Sequence, residues 1–186
     1  MTSKLVSALA LLTLALHAST QAQAPSQSQT TVVKKSLHGK LIKSIVYINR
    51  DYGFRFYLPP SWKGFSVLVE PRSGELYVKG QEESKPEYYE FIAIEHPRST
   101  EANPRQDIPI MVFTHEQWRL VEEGTLEVSA APIGPVELGR NREYVFALPP
   151  RYNYAFETGY EEVEKILERD SLKPFEIDTP RKTPKR

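Results

Sequence analysis

The chain has 186 residues, no cysteine, and 24 basic against 24 acidic side chains. Without cysteine it can hold no disulfide, no thiolate metal site and no cysteine nucleophile. Balanced charge gives no reason to expect nucleic acid or an anionic membrane as the main partner.

At the amino terminus, Lys4 precedes an apolar run from Leu5 to Leu16 and a small-residue exit. That is the layout of a secretory signal peptide. The run falls short of the roughly 20 residues that a spanning helix needs. Thr20 and Ala22 fit the −3 and −1 positions, so residues 1–22 are expected to be removed, leaving Gln23 first. A cut after Ala24 would put Pro25 beyond the scissile bond, where fixed φ and a missing amide proton make poor substrate geometry. No second stretch could span a bilayer, so a soluble protein working outside the cytoplasm, periplasmic or secreted, is expected. Residues 23–36, opening with Gln, Ala, Ser, Pro and Thr, are expected as a flexible lead-in. One α+β domain should occupy 37–177. Residues 178–186, basic and broken by Pro180 and Pro184, should form a disordered tail.

Strand signals come next, with a weak one at 45–49. Phe54, Phe56 and Leu58 alternate with Arg55 and Tyr57, the period of a half-buried strand, and Pro59-Pro60 ends it. Ser61-Trp62-Lys63-Gly64 turns the chain into a strand at 65–69. Pro71-Arg72-Ser73-Gly74 predicts another turn, into 76–78, which implies an antiparallel meander. Further strands are expected at 89–95, 110–113, 126–130 and 143–148.

Two helices carry start signals. Thr114-His115-Glu116-Gln117 fits a capping box, Trp118 and Val121 follow at helical spacing, and Gly124 supplies a stop. Thr158-Gly159-Tyr160-Glu161 predicts a second box. Tyr160, Val163, Ile166 and Leu167 then make one apolar stripe. Strands outnumber helices and turns are short, so the fold class is α+β, a largely antiparallel sheet flanked by helices.

Tyr52-Gly53-Phe54-Arg55-Phe56-Tyr57-Leu58-Pro59-Pro60-Ser61-Trp62 resembles the YGF-x-F-x-LP-x-x-W opening of exported bacterial proteins of no assigned activity. It is more distantly similar to the PsbP-like superfamily, whose closing helix and short strand residues 161–175 could match. The resemblance implies a PsbP-like α/β/α sandwich used for binding or assembly. It carries over no metal or partner site.

Candidate chemistry is sparse. Glu95-His96 and His115-Glu116 could hold a divalent cation if their strands brought them together, but no His-x-x-x-His spacing exists and no cofactor or metal is expected. There is no Gly-x-Ser-x-Gly elbow, and 131–142 is not a phosphate loop. Residues 96–109 form a long polar, proline-rich loop with Arg98, Asn103, Arg105 and Asp107, the kind that carries function on a sheet scaffold. Tyr152 and Tyr154 lie just beyond a strand, as a stacking surface for a peptide or sugar or as a cover for the core. Arg98, Asn103, Arg105, Asp107, Tyr152 and Tyr154 are therefore the expected binding residues, with Arg98, Arg105, Tyr152 and Tyr154 sharing one exposed patch. The function expected is a non-enzymatic exported module whose partner is a protein, peptide or glycan of the cell envelope. The alternative is an extracytoplasmic hydrolase with an acidic or His-Glu site.

Overall fold

The computed structural model describes residues 27–37, 40–80 and 82–178. The expected signal peptide and its cut, His38, and the basic tail from Thr179 lie outside the described residues.

The alternation at Phe54–Leu58 does form a strand, β3, with Phe54, Phe56 and Leu58 all buried. β3 lies between β2 (Lys40–Asn49) and β10 (Leu172–Pro174). β1 (Gln27–Leu37) adds to the far side of β2, completing a four-stranded sheet in the order β1-β2-β3-β10. Residues 27–36 were expected in a flexible lead-in; the structure places them in β1, antiparallel to β2 from Gln27 opposite Asn49 to Leu37 opposite Lys40. The β-branched run Thr30-Thr31-Val32-Val33 suits a strand, and the edge of β2 supplies its backbone partners.

A second sheet has six strands. They are β4 (Ser66–Leu76), β5 (Lys85–Glu95), β6 (Ile108–Thr114), β7 (Leu126–Glu127), β8 (Val136–Arg140) and β9 (Tyr144–Leu148). Their order is β7-β4-β5-β6-β9-β8. Every strand pairing described is antiparallel, so the α+β antiparallel class holds, with two sheets in place of the one expected.

The turn expected at Pro71–Gly74 does not exist. Pro71 sits inside β4, opposite Glu90. Proline is excluded from central strands because it lacks a ladder donor, but an edge strand tolerates it. Among the described residues, β4 is paired on its outer side only at Glu75 and Leu76 by β7, so Pro71 occupies a free edge. The chain instead reverses between Leu76 and Lys85. The strand expected at 126–130 stops at Glu127, and β8 arises where none was expected.

Alternate residues of the larger sheet feed two cores. Ile92 and Ile94 of β5, Ile108, Ile110 and Val112 of β6, and Phe146 of β9 face the smaller sheet. There they meet Tyr47, Phe54, Phe56, Leu58 and Leu172, with Trp62 and Phe65 from the turn after β3. Val163 and Ile166 of α2 (Tyr160–Leu167) complete this core, as the apolar stripe predicted. Tyr89, Phe91, Ala93, Met111, Phe113, Val145 and Ala147 form the opposite face, partly covered by Trp118 of α1 (His115–Glu122). Burial on both faces explains why β5, β6 and β9 read as continuous apolar runs.

α1 starts with the expected capping box: Gln117 N donates to Thr114 Oγ1, and the Gln117 side chain accepts from Thr114 N. It closes as expected too, with Gly124 N on the Val121 carbonyl and Thr125 N on that of Leu120. The second capping box is overturned. α2 is preceded by Gly159 at φ 92° with no side-chain cap, because Thr158 is held away in a bridge to Arg105.

Candidate functional site

α1 covers only part of the second face of the larger sheet. Toward the Asp107 end of that face lies an open groove of about 580 Å3. Phe91 of β5 and Pro109 of β6 line it, together with residues 129–131, 149–152 and Tyr154.

At its edge, Arg72 lays its guanidinium 3.3 Å from the centre of the Phe91 ring. Glu70 fixes that pose by accepting from Arg72 Nε at 2.9 Å and Nη2 at 2.7 Å. The groove thus presents a pre-positioned cation on an aromatic plane. The Glu70–Arg72 pair is itself solvent-exposed and contributes little stability.

Asp107 supplies the opposite charge. Burial pushes its carboxyl above the usual range and Glu157 adds to this, while its own backbone N–H and the Gln106 amide pull the other way. Gln106 is buried, and its Nε2 lies 3.3 Å from the Asp107 carbonyl, from Asp107 Oδ1 and from the Tyr152 carbonyl. Its backbone N–H donates to the Thr158 carbonyl at 3.0 Å. Gln106 therefore ties the loop bearing Asp107 to the segment bearing the tyrosines. Nothing in the sequence distinguishes it from other polar loop residues.

Tyr152 packs partly against the main core, whereas Tyr154 is 77% exposed beside the groove. Asp107, Tyr152 and Tyr154 are thus brought together by the fold. Arg98, Asn103 and Arg105 are not in the groove lining. Arg98 is exposed and donates its backbone N–H to His96 Nδ1 at 3.1 Å. Asn103 is exposed and closes a tight turn with Thr100. The four-residue exposed patch fails at Arg105, whose side chain is only 17% exposed. Its Nη2 lies 4.0 Å from Glu162 Oε2 and occupies the space next to Gly159. Arg72 and Phe91 were missed. They come together across a strand pair, which local sequence cannot show.

The histidines do not converge. β5 and β6 are neighbours, but their antiparallel register, with Ile94 opposite Ile108 and Glu90 opposite Val112, sends His96 and His115 to opposite ends of the pair. His115 Nε2 instead lies 2.8 Å from the Asn141 carbonyl. Among the described residues no three His, Asp or Glu side chains are grouped to hold a metal ion. Ser61 donates directly to Glu162 Oε1 at 2.6 Å, and His96 Nδ1 is occupied by Arg98, so these residues do not form a relay through histidine. Among the described residues no helix is long and apolar enough to cross a membrane. Comparison with family models, curated proteins and solved structures finds no match for the chain.

Proposed function

We propose that this protein is an exported binding or assembly module of the PsbP-like kind, and that it receives a peptide or glycan segment of the cell envelope in the Arg72–Tyr154 groove. The observation that carries this reading is the Arg72 guanidinium held over the Phe91 ring in a groove that an exposed Tyr154 also lines. Arginine and tyrosine concentrate binding energy because they bring large, stiff contact areas with polar ends. Here Arg72 is positioned before any partner arrives, which lowers the ordering cost of association. Asp107 adds a carboxylate that can take up hydroxyl or amide donors. Pro109, Pro149 and Pro150 stiffen the walls. Open along its length, the groove suits a chain segment better than an enclosed small molecule.

The test is capture from the organism's own envelope fraction by the mature protein and two variants, Tyr154→Ala and Arg72→Ala. Each substitution should reduce capture about fivefold or more, the equivalent of 1 kcal/mol. Undiminished capture by both variants would overturn the groove as the contact surface.

A further inference from the structure

Four buried side-chain nitrogens have no hydrogen-bond partner among the described residues. One, Trp118 Nε1, stands alone in the second core, and the other three lie together away from the groove. Trp62 Nε1, His96 Nε2 and Arg105 Nε are all buried, with no hydrogen-bond partner among the described residues. His96 and Trp62 are 3% and 1% exposed. The His96 tautomer follows from its other nitrogen. Nδ1 accepts the Arg98 backbone N–H, so the proton of the neutral ring sits on Nε2, which becomes a donor. Trp62 Nε1 and Arg105 Nε can only donate.

These side chains belong to one circuit. The Trp62 and His96 rings meet edge to face at 5.0 Å. Arg105 and Glu162 both act electrostatically on His96. Arg105 reaches to 4.0 Å from Glu162, whose other oxygen is taken by Ser61, the neighbour of Trp62. Three donors with no acceptor within hydrogen-bond distance form an unbalanced set, and an unmade buried hydrogen bond is expensive. The charge is unbalanced as well. The half-buried Arg105 bears most on His96 and the exposed Arg98 less, against the single carboxylate of Glu162. A water molecule would bring two further protons to a site already rich in them.

We propose that the Trp62–His96–Arg105 cluster is a binding site for a small monovalent anion of halide size. The anion accepts from all three nitrogens and offsets the arginine charge that Glu162 leaves uncompensated. It also pins the loop that begins at His96 to the start of α2, since Arg105 bridges Thr158.

Melting of the intact protein in sodium chloride against sodium gluconate at matched ionic strength tests this. At a tenfold excess of chloride over its dissociation constant the midpoint should rise by roughly 3–6 °C and continue upward with the logarithm of the chloride concentration. Trp62→Phe should weaken the response, whereas Tyr154→Ala, in the groove, should leave it intact. Crystals of the unmodified protein grown in bromide should show an anomalous peak within about 3.5 Å of His96 Nε2, a readout that no variant's folding can obscure. A midpoint that follows ionic strength alone, or a water without anomalous signal beside His96, would overturn the proposal.

Discussion

The side-chain amide of Asn141 donates to the carbonyl of Tyr52 at 2.7 Å, across 89 residues of sequence. The same nitrogen lies 3.1 Å from the carbonyls of Gly53 and Phe175, and Oδ1 accepts from the backbone of Glu143 and Tyr144. One buried asparagine thereby joins the entry of β3, the exit of β10 and the β8–β9 turn. Asn141→Ala leaves several buried backbone groups unmatched, each worth about 1–3 kcal/mol. We expect a loss of about 3 kcal/mol or more, read as a drop of roughly 6–12 °C in Tm.

Gly53 and Gly124 both have left-handed backbone, at φ 78° and 67°. A Cβ on Gly124 would meet nothing within 4 Å, whereas on Gly53 it would lie 2.5 Å from the Phe175 carbonyl oxygen and 2.6 Å from Asn141 Nδ2. Gly124→Ala should therefore cost about 1 kcal/mol, from backbone strain alone. Gly53→Ala should cost at least about 3 kcal/mol, because the Asn141 contacts must shift as well. Denaturant titration of the two variants compares them directly; equal losses would refute the packing argument.

Phe56 is completely buried and Tyr154 is 77% exposed. Phe56→Ala should destabilise by about 3–5 kcal/mol. Tyr154→Ala should change stability by about 0.5 kcal/mol or less, which separates any loss of capture from loss of folding. A Tyr154→Ala variant that melts several degrees early would make that ring structural.

His96 and Asp107 give stability opposite dependences on pH. Burial, then Arg105, lowers the His96 pKa from 6.5; Arg98 acts the same way and Glu162 against it. Just below 6.5 the unfolded chain binds a proton that the folded one refuses, so stability falls as pH drops through this window. Asp107 is raised from 3.8, mainly by burial. Above 3.8 the folded chain keeps a proton that the unfolded one releases, so the Asp107 contribution falls as pH rises through its folded value. Chemical denaturation from pH 4 to 8 should show His96→Gln flattening the acid-side slope near pH 6. Asp107→Asn should flatten the opposite trend above pH 4.

Local signals were readable where local physics decides the outcome. The Thr114 capping box and the alternation of Phe54, Phe56 and Leu58 involve neighbours in sequence, and both formed as expected. Pro71 misled because its turn chemistry is local while its tolerance inside β4 depends on a free edge set by distant strands. β8 escaped notice because Gly139 sits at an irregularity in its register with β9, which spoils the alternation. The site divides the same way. Asp107, Tyr152 and Tyr154 stood out by residue type and loop context. Arg72, Phe91 and Gln106 owe their places to pairings tens of residues apart, and Arg105 has an interface-like composition but a buried role.

The free edge of β4 bears on how the molecule behaves in the company of its own copies. An unpaired strand edge is a template on which another chain can polymerise. Along residues 66–74, a guest strand would meet Pro71 flanked by the charges of Glu70 and Arg72. Edge strands hold proline with its nitrogen side toward solvent, so the guest would lack a donor midway along its ladder and would have to bury two charges. Pro71→Val removes that obstruction while keeping the strand. The variant should gain light scattering at concentrations where the parent stays clear, which would make this proline a guard on colloidal stability.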